Sequence, residues 1–404
     1  MRLLFLAPLG SAFGEALQGV RLAAGLREAG HDVVFLAPAK LHSLVEGVAV
    51  TFGRIDMALA HLDQELPRVI RRLGCDALVL VDAAAVGKVV RALGLDAAAF
   101  TRAEVPTIAL DCWNLPEIPS AWDYGAHSET LGREFHRLRR RLLPVPFAPP
   151  DADGGYAALP ALADASAAER ARARAELGLS GDDRLVLWPS AGWQHPENHT
   201  DPQLIRLAGA LPALILPRLD RLGPRVRIVH VGPLPFASAA ALAPRYRHMA
   251  QVEPRRFERL VCAADLLLGF NAAATSLATA VAARVPILLG MSEVAADSDA
   301  EAERALGTRL TPGVRAFVAA NLPLHPIRAW PLGLDRILGP TIADNPYYAA
   351  MRVADPLDED RFVEACRELL FDAGAADALR GREDDYARRI AGLPAGHERL
   401  LSLL

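Results

Sequence analysis

Residues 1–37 read MRLLFLAPLGSAFGEALQGVRLAAGLREAGHDVVFLA and decide the fold class. Residues 2–7 form a short apolar run, typical of a parallel strand that is covered on both faces. Residues 14–29 then repeat apolar side chains at helical spacing, and Gly30 is a common residue at the end of such a helix. A second apolar run follows at Asp32–Ala37. The stretch therefore predicts a strand, a helix and a second strand.

The same alternation continues through the first half of the chain. Further strands are predicted at 48–52, 77–81 and 106–110, and the helices between them at 58–73 and 84–93. Strands that alternate with helices favour a parallel, doubly wound sheet, because a parallel connection needs a crossover helix.

A stretch rich in proline, glycine and aspartate at 143–156 divides the chain, and the pattern restarts after it. Strands are then predicted at 184–188, 225–231, 265–269 and 285–289, and helices at 165–177, 202–222, 254–263, 272–283, 358–370 and 375–391. We therefore predict an α/β protein of two Rossmann-like domains that face each other across a cleft. The predicted parts are an N-terminal domain (1–147), a linker (148–164), a C-terminal domain (165–385) and a C-terminal helix (386–404).

Composition excludes several classes of protein. The chain has 404 residues, 52% of them hydrophobic, and a net charge of −4, which gives no attraction to nucleic acid or anionic lipid. No apolar run reaches the roughly 20 residues of a membrane span. The apolar start imitates a signal peptide, but the helix and strand after it favour a buried first strand. Four cysteines in no recognisable pattern predict reduced thiols in a cytoplasmic protein: Cys75, Cys112, Cys262 and Cys366.

Acidic side chains follow three of the predicted strands in the first half. Glu15 ends the loop after the first strand, Asp82 follows the strand at 77–81, and Asp111 follows the strand at 106–110. Ligands of open parallel sheets bind outside the carboxyl ends of the strands, so each acid is a candidate for catalysis. The alternative is a structural role, since acids are also favoured at helix N-termini and as helix caps.

The loop after the strand at 184–188 is a candidate in the second half. It reads WPSAGWQHPEN over 188–198 and contains Ser190, Trp193 and His195, with His199 just beyond. The two histidines are four residues apart, but Pro196 prevents the helix that would align them as a zinc pair. A mobile loop beside a ligand is therefore favoured over a zinc site.

The stretch at 261–290 is the strongest candidate for a phosphate site. A predicted strand leads to Asn271 and then to a helix of small residues at 272–283. The N–H groups and the dipole at a helix start attract anions, and the hydroxyls of Thr275 and Ser276 add donors. The alternative is an alanine-rich helix that simply packs tightly against its sheet.

Three stretches carry motifs that occur together in one enzyme family. Gly14-Glu15 and Gly30-His31 stand where the family has Gly-His pairs on either side of its first helix. NAAATSLATAVAARVP (271–286) has the length of the family donor motif, roughly His-Gly-Gly-x-Gly-Thr, a helix and Gly-Val-Pro. Residues 343–372, which begin ADNPYY, are similar to the family's Asp-Gln loop and the helix after it. In these respects the chain resembles the GT-B fold glycosyltransferases of the UDP-glycosyltransferase-like superfamily.

The resemblance implies an inverting, metal-independent transfer of sugar from a UDP- or dTDP-sugar to a small-molecule acceptor, as in bacterial secondary metabolism. It implies no tightly bound cofactor, and the sequence leaves a homodimer open. The implied catalytic residues are Glu15 as the base and Asp111 as its partner. The implied donor and nucleotide residues are Gly14, Ser190, Trp193, Gln251, Asn271, Ala272, Thr275, Ser276, Asp344 and Asn345, and those for the acceptor are Trp113, Trp122 and Tyr124.

The chain departs from the family pattern at the residues that carry chemistry. Glu15 stands in place of the usual histidine base, and alanines at 272 and 273 replace the glycines that approach the diphosphate. Thr279 occupies the place of the ribose-binding glutamate, and residues 291–339 form an insertion. If Glu15 and Asp111 lie together, their repulsion raises one of the two pKa values.

These departures leave two alternatives to a glycosyltransferase. One is an enzyme with the same scaffold and a different reaction, such as epimerisation, hydrolysis or another group transfer. The other is a non-catalytic partner that stabilises a true transferase. A glycosylated acceptor, an altered or free sugar, and co-purification with another enzyme are the respective observations that distinguish them.

Overall fold

The computed structural model describes residues 1–10, 12–112, 114, 121–124, 127–130, 133–159, 167–199, 201–250, 252–328, 339 and 342–404. These residues form two compact units. Unit 1 comprises Met1–Asp123, Ser128–Leu159 and Arg389–Leu404, and unit 2 comprises Tyr124–His127 and Pro160–Arg388. Of the helices in these described parts, none is long and apolar enough to cross a membrane.

Unit 1 contains a parallel sheet with helices between its strands. Its first strands are β1 (Arg2–Leu6), β2 (Asp32–Ala37), β3 (Thr51–Arg54), β4 (Ala77–Val81) and β5 (Thr107–Leu110). A separate pair, β6 (Ala121–Tyr124) and β7 (His127–Thr130), precedes β8 (Arg141–Val145) and β9 (Gly155–Ala157). The order of the main sheet is β3-β2-β1-β4-β5-β8-β9. Strand β4 is buried along its whole length, as its continuous apolar sequence predicts.

Three of the helices of unit 1 correspond to the predicted helices, and three short ones were not predicted. They are α1 (Phe13–Glu28), α2 (His42–Val45), α3 (Leu62–Leu73), α4 (Ala83–Ala92), α5 (Ala98–Thr101) and α6 (Arg133–His136). Helix α3 begins four residues later than the predicted start at 58, because a short 3-10 turn at Leu59–His61 precedes it.

Unit 2 repeats the architecture with a six-stranded parallel sheet of order β12-β11-β10-β13-β14-β15. The strands are β10 (Arg184–Pro189), β11 (Val226–Val231), β12 (Tyr246–Met249), β13 (Leu266–Gly269), β14 (Ile287–Gly290) and β15 (Arg352–Ala354). The helices are α7 (Ala167–Glu176), α8 (Pro202–Asp220), α9 (Pro254–Ala263), α10 (Thr275–Ala282), α11 (Asp299–Leu306), α12 (Pro312–Asn321), α13 (Glu359–Phe371) and α14 (Ala373–Ile390). The predicted architecture of two Rossmann-like sheets with interleaved helices is confirmed.

Two strands of unit 2 are absent from the sequence-based prediction, and both lie at the edges of the sheet. Strand β12 reads YRHM and is partly exposed, and β15 reads RVA and is mostly exposed. An edge strand in a parallel sheet is not buried on all sides, so its sequence need not form the apolar run by which a central strand is recognised.

The end of the chain returns to unit 1, where helix α15 (Gly396–Leu401) packs against α1. The N–H of Ala157 in β9 donates to the Pro394 carbonyl at 3.1 Å. Gly396 is needed at this contact, because a Cβ there would lie 2.8 Å from a ring carbon of Tyr156. Strand β9 and helix α1 therefore make contacts with residues that come after unit 2 in the chain.

Asp265, at the start of β13, anchors helix α7 to the sheet of unit 2. Its carboxylate lies 2.7 Å from Arg170 Nη2 and 2.9 Å from Arg174 Nη1, and it accepts the Leu185 N–H at 2.7 Å. The side chains of Asp265 and Arg174 are mostly buried, at 18% and 14% exposure, and removing one partner of such an ion pair leaves the other charge uncompensated. The carboxylate therefore holds together a helix and two strands.

We expect Asp265→Ala to lower the free energy of unfolding by about 3 kcal/mol, measured by urea denaturation. Asp377→Ala is the matched control, because it removes an exposed pair with Arg380 and should change the stability by no more than about 0.5 kcal/mol. Equal stability of the two variants would contradict the anchoring role.

Candidate functional site

Three carboxyl groups lie at the carboxyl ends of neighbouring strands in unit 1. Glu15 is in the first turn of α1 after β1, Asp82 is the N-cap of α4 after β4, and Asp111 directly follows β5. Asp82 and Asp111 are buried, and Glu15 is partly exposed. Because β1, β4 and β5 are neighbours in the sheet, the three acids lie side by side at the carboxyl ends of its central strands.

The electrostatics show that the three acids interact. Burial, followed by the charge of Glu15 and then that of Asp111, raises the pKa of Asp82 to about 8, although the N–H of Ala85 bonds its Oδ1 at 3.1 Å. Burial also raises the pKa of Glu15, and a hydrogen bond from its own backbone N–H offsets part of this. Burial raises the pKa of the Cys112 thiol, and the negative charges of the three acids raise it further. Asp82 therefore holds a proton at neutral pH and is both a helix cap and a member of the cluster.

Asp111 has a cationic partner that the other two acids lack among the contacts described. Arg141 Nη1, at the start of β8, lies 3.2 Å from Asp111 Oδ2 and 3.0 Å from Asn114 Oδ1. The sequence suggested Glu15 and Asp111 as a mutually repelling pair. In the structure Asp82 joins these two acids, and the carboxylate of Asp111 forms an ion pair with Arg141.

In unit 2, the segment before α10 differs from the prediction. The helix begins at Thr275 rather than at Ala272. The Ala272 N–H donates to the Arg328 carbonyl at 3.2 Å, and the Ala273 N–H donates to Asn271 Oδ1 at 3.0 Å. The N–H of residue 274 bonds the Asn271 carbonyl. Because these N–H groups already have acceptors, the helix start available to an anion is at Thr275 and its neighbour Ser276.

The structure brings the residues after Asn345 next to this segment. Asn345 is buried and its Oδ1 accepts the Tyr347 N–H at 3.0 Å, so it caps the 3-10 turn Pro346–Ala350, whereas Asp344 is exposed. Tyr348 Oη donates to the Ala272 carbonyl at 3.1 Å. Two of the predicted donor-site segments are therefore joined by a direct hydrogen bond.

Ser190 follows β10 and lies between two buried histidines. Its Oγ is 2.7 Å from His195 Nε2 and 2.7 Å from His230 Nε2, and His230 Nδ1 is 2.7 Å from the Tyr246 hydroxyl. Burial, aided by the charges of the neighbouring His195 and His248, lowers the pKa of His230 to about 3. Burial also lowers the pKa of His195. Both rings are thus neutral at pH 7.

Sequence reasoning did not single out His230 and Tyr246. The available signal for His230 was its place near the carboxyl end of β11, the strand that pairs with the Ser190 strand β10. Tyr246 had no such signal, because it begins the edge strand β12, which the sequence did not predict. Within the described ranges, no group of His, Cys, Asp and Glu side chains is arranged to hold a metal ion.

Five of the predicted site residues cannot be placed in full. Trp113 and Gln251 lie outside the described residues, as does most of the segment 328–336 of the insertion. For Trp122, Tyr124 and Trp193 the structure describes the backbone only, in β6 and in the 3-10 turn Gly192–Gln194. Gly14 lies inside the first turn of α1.

Comparison with solved structures identifies the fold. HepE from Anabaena, solved in complex with UDP and glucose, matches over 100% of this chain and 98% of its own at 12% identity, with a TM-score of 0.56. The spinosyn rhamnosyltransferase SpnG matches over 100% of both chains at 16% identity, with a TM-score of 0.54. The glycosyltransferase SnogD from Streptomyces nogalater covers 100% of this chain and 98% of its own at 13% identity, with a TM-score of 0.50. The resemblance to GT-B proteins found in the sequence is confirmed at the level of the fold.

No curated protein matches the chain in sequence. The model of one family, described as a family of unknown function (DUF6365), matches residues 22–404. The chain therefore belongs to DUF6365, and it has the GT-B fold.

Proposed function

We propose that the protein is an inverting, metal-independent glycosyltransferase that moves a sugar from a UDP- or dTDP-sugar to a small-molecule acceptor. The observation that carries the proposal is the cluster of Glu15, Asp82 and Asp111 at the carboxyl ends of the central strands of unit 1, with the pKa of Glu15 and Asp82 raised. The similar folds of HepE, solved with UDP and glucose, and of VinC, solved with dTDP, support the choice of donor.

In the proposed reaction, Glu15 accepts the proton of the acceptor hydroxyl. The acceptor oxygen then bonds to the anomeric carbon while the bond from that carbon to the diphosphate breaks, and the nucleoside diphosphate leaves with the electron pair. A carboxylate needs a raised pKa to be an effective base, and burial raises that of Glu15. Asp82 keeps its proton at neutral pH, which leaves Glu15 to ionise first.

Unit 2 is the proposed binding site for the nucleotide sugar. Thr275 and Ser276 offer the start of α10 and their hydroxyls to the diphosphate, and Ser190 lies at the end of the central strand β10. The other proposed donor residues of unit 2 are Trp193, Gln251, Asn271, Ala272, Asp344 and Asn345, and Gly14 is the one proposed from unit 1. Trp113, Trp122 and Tyr124 are the proposed acceptor residues.

A thermal-shift screen tests the proposal with nucleoside diphosphates and nucleotide sugars of each base. A ligand at about one hundred times its Kd stabilises a protein by about 2.7 kcal/mol, so we expect a rise of a few degrees in Tm with uridine or thymidine compounds. Adenosine and guanosine diphosphates are the controls for unspecific binding. The absence of a shift with every nucleotide would contradict a nucleotide-sugar enzyme.

One observation favours a second function, a different reaction on the same scaffold. Alanines stand at 272 and 273, and their N–H groups are bonded to Arg328 and Asn271, so the donor contact differs from the family pattern. Such an enzyme would hydrolyse or epimerise the nucleotide sugar instead of transferring it. Liquid chromatography with mass spectrometry separates the two functions. Hydrolysis releases free sugar without any acceptor, and an epimer has the mass of the substrate but a different retention time.

A further inference from the structure

The hydrogen bonds around Ser190 form a chain with a defined direction. The chain begins at the Phe236 N–H, which can only donate, and which bonds the Tyr246 hydroxyl oxygen at 3.1 Å. We assign that hydroxyl's own hydrogen to His230 Nδ1, which lies 2.7 Å from the hydroxyl oxygen and is the acceptor found for it among the described residues. His230 is neutral because burial lowers its pKa, so its remaining hydrogen is on Nε2.

The direction continues through Ser190. His230 Nε2–H donates to Ser190 Oγ, and the hydroxyl hydrogen of Ser190 then points at His195 Nε2, with 2.7 Å between the heavy atoms in each case. In this state Ser190 has its hydrogen turned inward and offers only a lone pair to a ligand. A phosphate oxygen is also an acceptor, so the two would repel.

We propose that His195 is a positioning residue for Ser190, and that binding of the diphosphate of a nucleotide sugar at Ser190 takes up one proton from solvent on His195. The inference rests on the proposed function. The proton goes to His195 Nε2, which then donates to Ser190 Oγ. The hydroxyl hydrogen of Ser190 is released and donates to the phosphate. The cationic ring also lies near the bound anion, which favours the protonated state further.

Packing around the three side chains keeps them in place for this exchange. A Cβ at Gly232, after β11, would lie 2.7 Å from His230 Nε2 and 3.2 Å from His195 Nε2, and would also collide with Ser190 Oγ. The rings of His195 and His230 stack with their centroids 5.7 Å apart. Only a residue without a side chain fits at 232, so the hydroxyl and both rings remain in mutual contact.

The charged and titratable groups around His195 come from three neighbouring elements. Glu197, in the 3-10 turn Pro196–Asn198, favours the protonated ring, whereas His248 in β12 opposes it. His230 in β11 lies on the other side of Ser190, and Tyr246 of β12 bonds His230. His248 Nε2 donates to the Gly232 carbonyl at 2.8 Å, whereas the side-chain partners of Ser190 among the described residues are His195 and His230. His248 is therefore a matched control for His195.

The test is isothermal titration calorimetry of UDP-glucose and dTDP-glucose in HEPES and in Tris at about pH 7.5. These ligands carry no phosphate group that titrates near neutral pH, so the difference in measured heat between buffers reports protons taken up by the protein. We expect uptake approaching about one proton per nucleotide sugar, and an affinity that weakens by up to about tenfold per pH unit above neutrality. His248→Gln should keep the proton uptake of the wild type, because both partners of Ser190 remain.

His195→Gln should bind without proton uptake and with little pH dependence, because its amide donates to Ser190 while it stays neutral. Ser190→Ala should bind the nucleotide sugar more weakly, and also without proton uptake. This second variant replaces the first in the test if His195→Gln does not fold. Binding by the wild type without proton uptake, or uptake that survives in a folded His195→Gln or Ser190→Ala protein, would overturn the inference and leave the proposed function standing. No binding of either nucleotide sugar would refute both.

Discussion

Replacing Glu15 with glutamine is expected to lower kcat by about 10²–10⁴-fold and to leave nucleotide binding unchanged. Glutamine keeps the shape of the side chain but cannot accept a proton. The proposed donor residues that contact the diphosphate lie in unit 2, so the thermal shift with the nucleotide should match that of the wild type. Turnover is measured beside the shift, with an acceptor that the wild type glycosylates.

Two further variants sharpen this experiment. Glu28→Gln changes an exposed glutamate at the last residue of α1 and should leave turnover as it is. Asp82→Asn keeps an acceptor at the N-cap of α4 and imitates the protonated acid. Because the pKa of Asp82 is about 8, the wild-type rate should change again near that pH, and the Asp82→Asn rate should not. Full activity of Glu15→Gln would end the assignment of the base.

Replacing Glu383 with glutamine is expected to stabilise the protein at alkaline pH. Glu383 is 0% exposed in helix α14, and neither carboxyl oxygen has a hydrogen-bond partner among the described residues. Burial raises its pKa from 4.5 to about 9. Between these two values the folded state holds a proton that the unfolded chain has released, so the free energy of unfolding falls as the pH rises.

The size of the effect follows from the same linkage. From pH 5 to pH 8 the wild type should lose about 4 kcal/mol through this group, and Glu383→Gln should not. Urea denaturation of both proteins at the two pH values measures the difference. Glu364→Gln, an exposed glutamate paired with Arg367 in α13, is the control and should follow the wild type at both pH values. A stability difference that is the same at pH 5 and pH 8 would show that Glu383 is already ionised in the folded protein.

Most strands in the central part of each sheet could be predicted from the sequence because they are buried. Strand β8 is also buried, but it was missed because it overlaps the stretch at 143–156 that is rich in proline, glycine and aspartate. Strands such as β1 and β4 are continuous apolar runs, and that is the pattern burial imposes. The edge strands β12 and β15 escaped prediction because exposure relaxes the pattern. Glu15, Asp82 and Asp111 could be named as candidates because ligands bind outside the carboxyl ends of parallel strands, and an acid after a strand is visible in the local sequence.

The contacts that decide what these residues do could not be predicted, because they join distant parts of the chain. The carbonyl that accepts the Ala272 N–H belongs to Arg328, inside the insertion. The position of His230 beside Ser190 depends on the pairing of β10 with β11. A local motif gives the residue type, whereas the register of the sheet and the path of a long insertion give its partners.

The return of the chain to unit 1 has a consequence for synthesis. A ribosome makes Arg389–Leu404 only after all of Pro160–Arg388, so β9 and α1 acquire their contacts with α15 last. Domains usually fold in the order in which they are made. Here the unit that begins first must wait for the second before its last helix arrives. A nascent chain stalled before α15 would therefore carry unit 1 without the helix that covers α1.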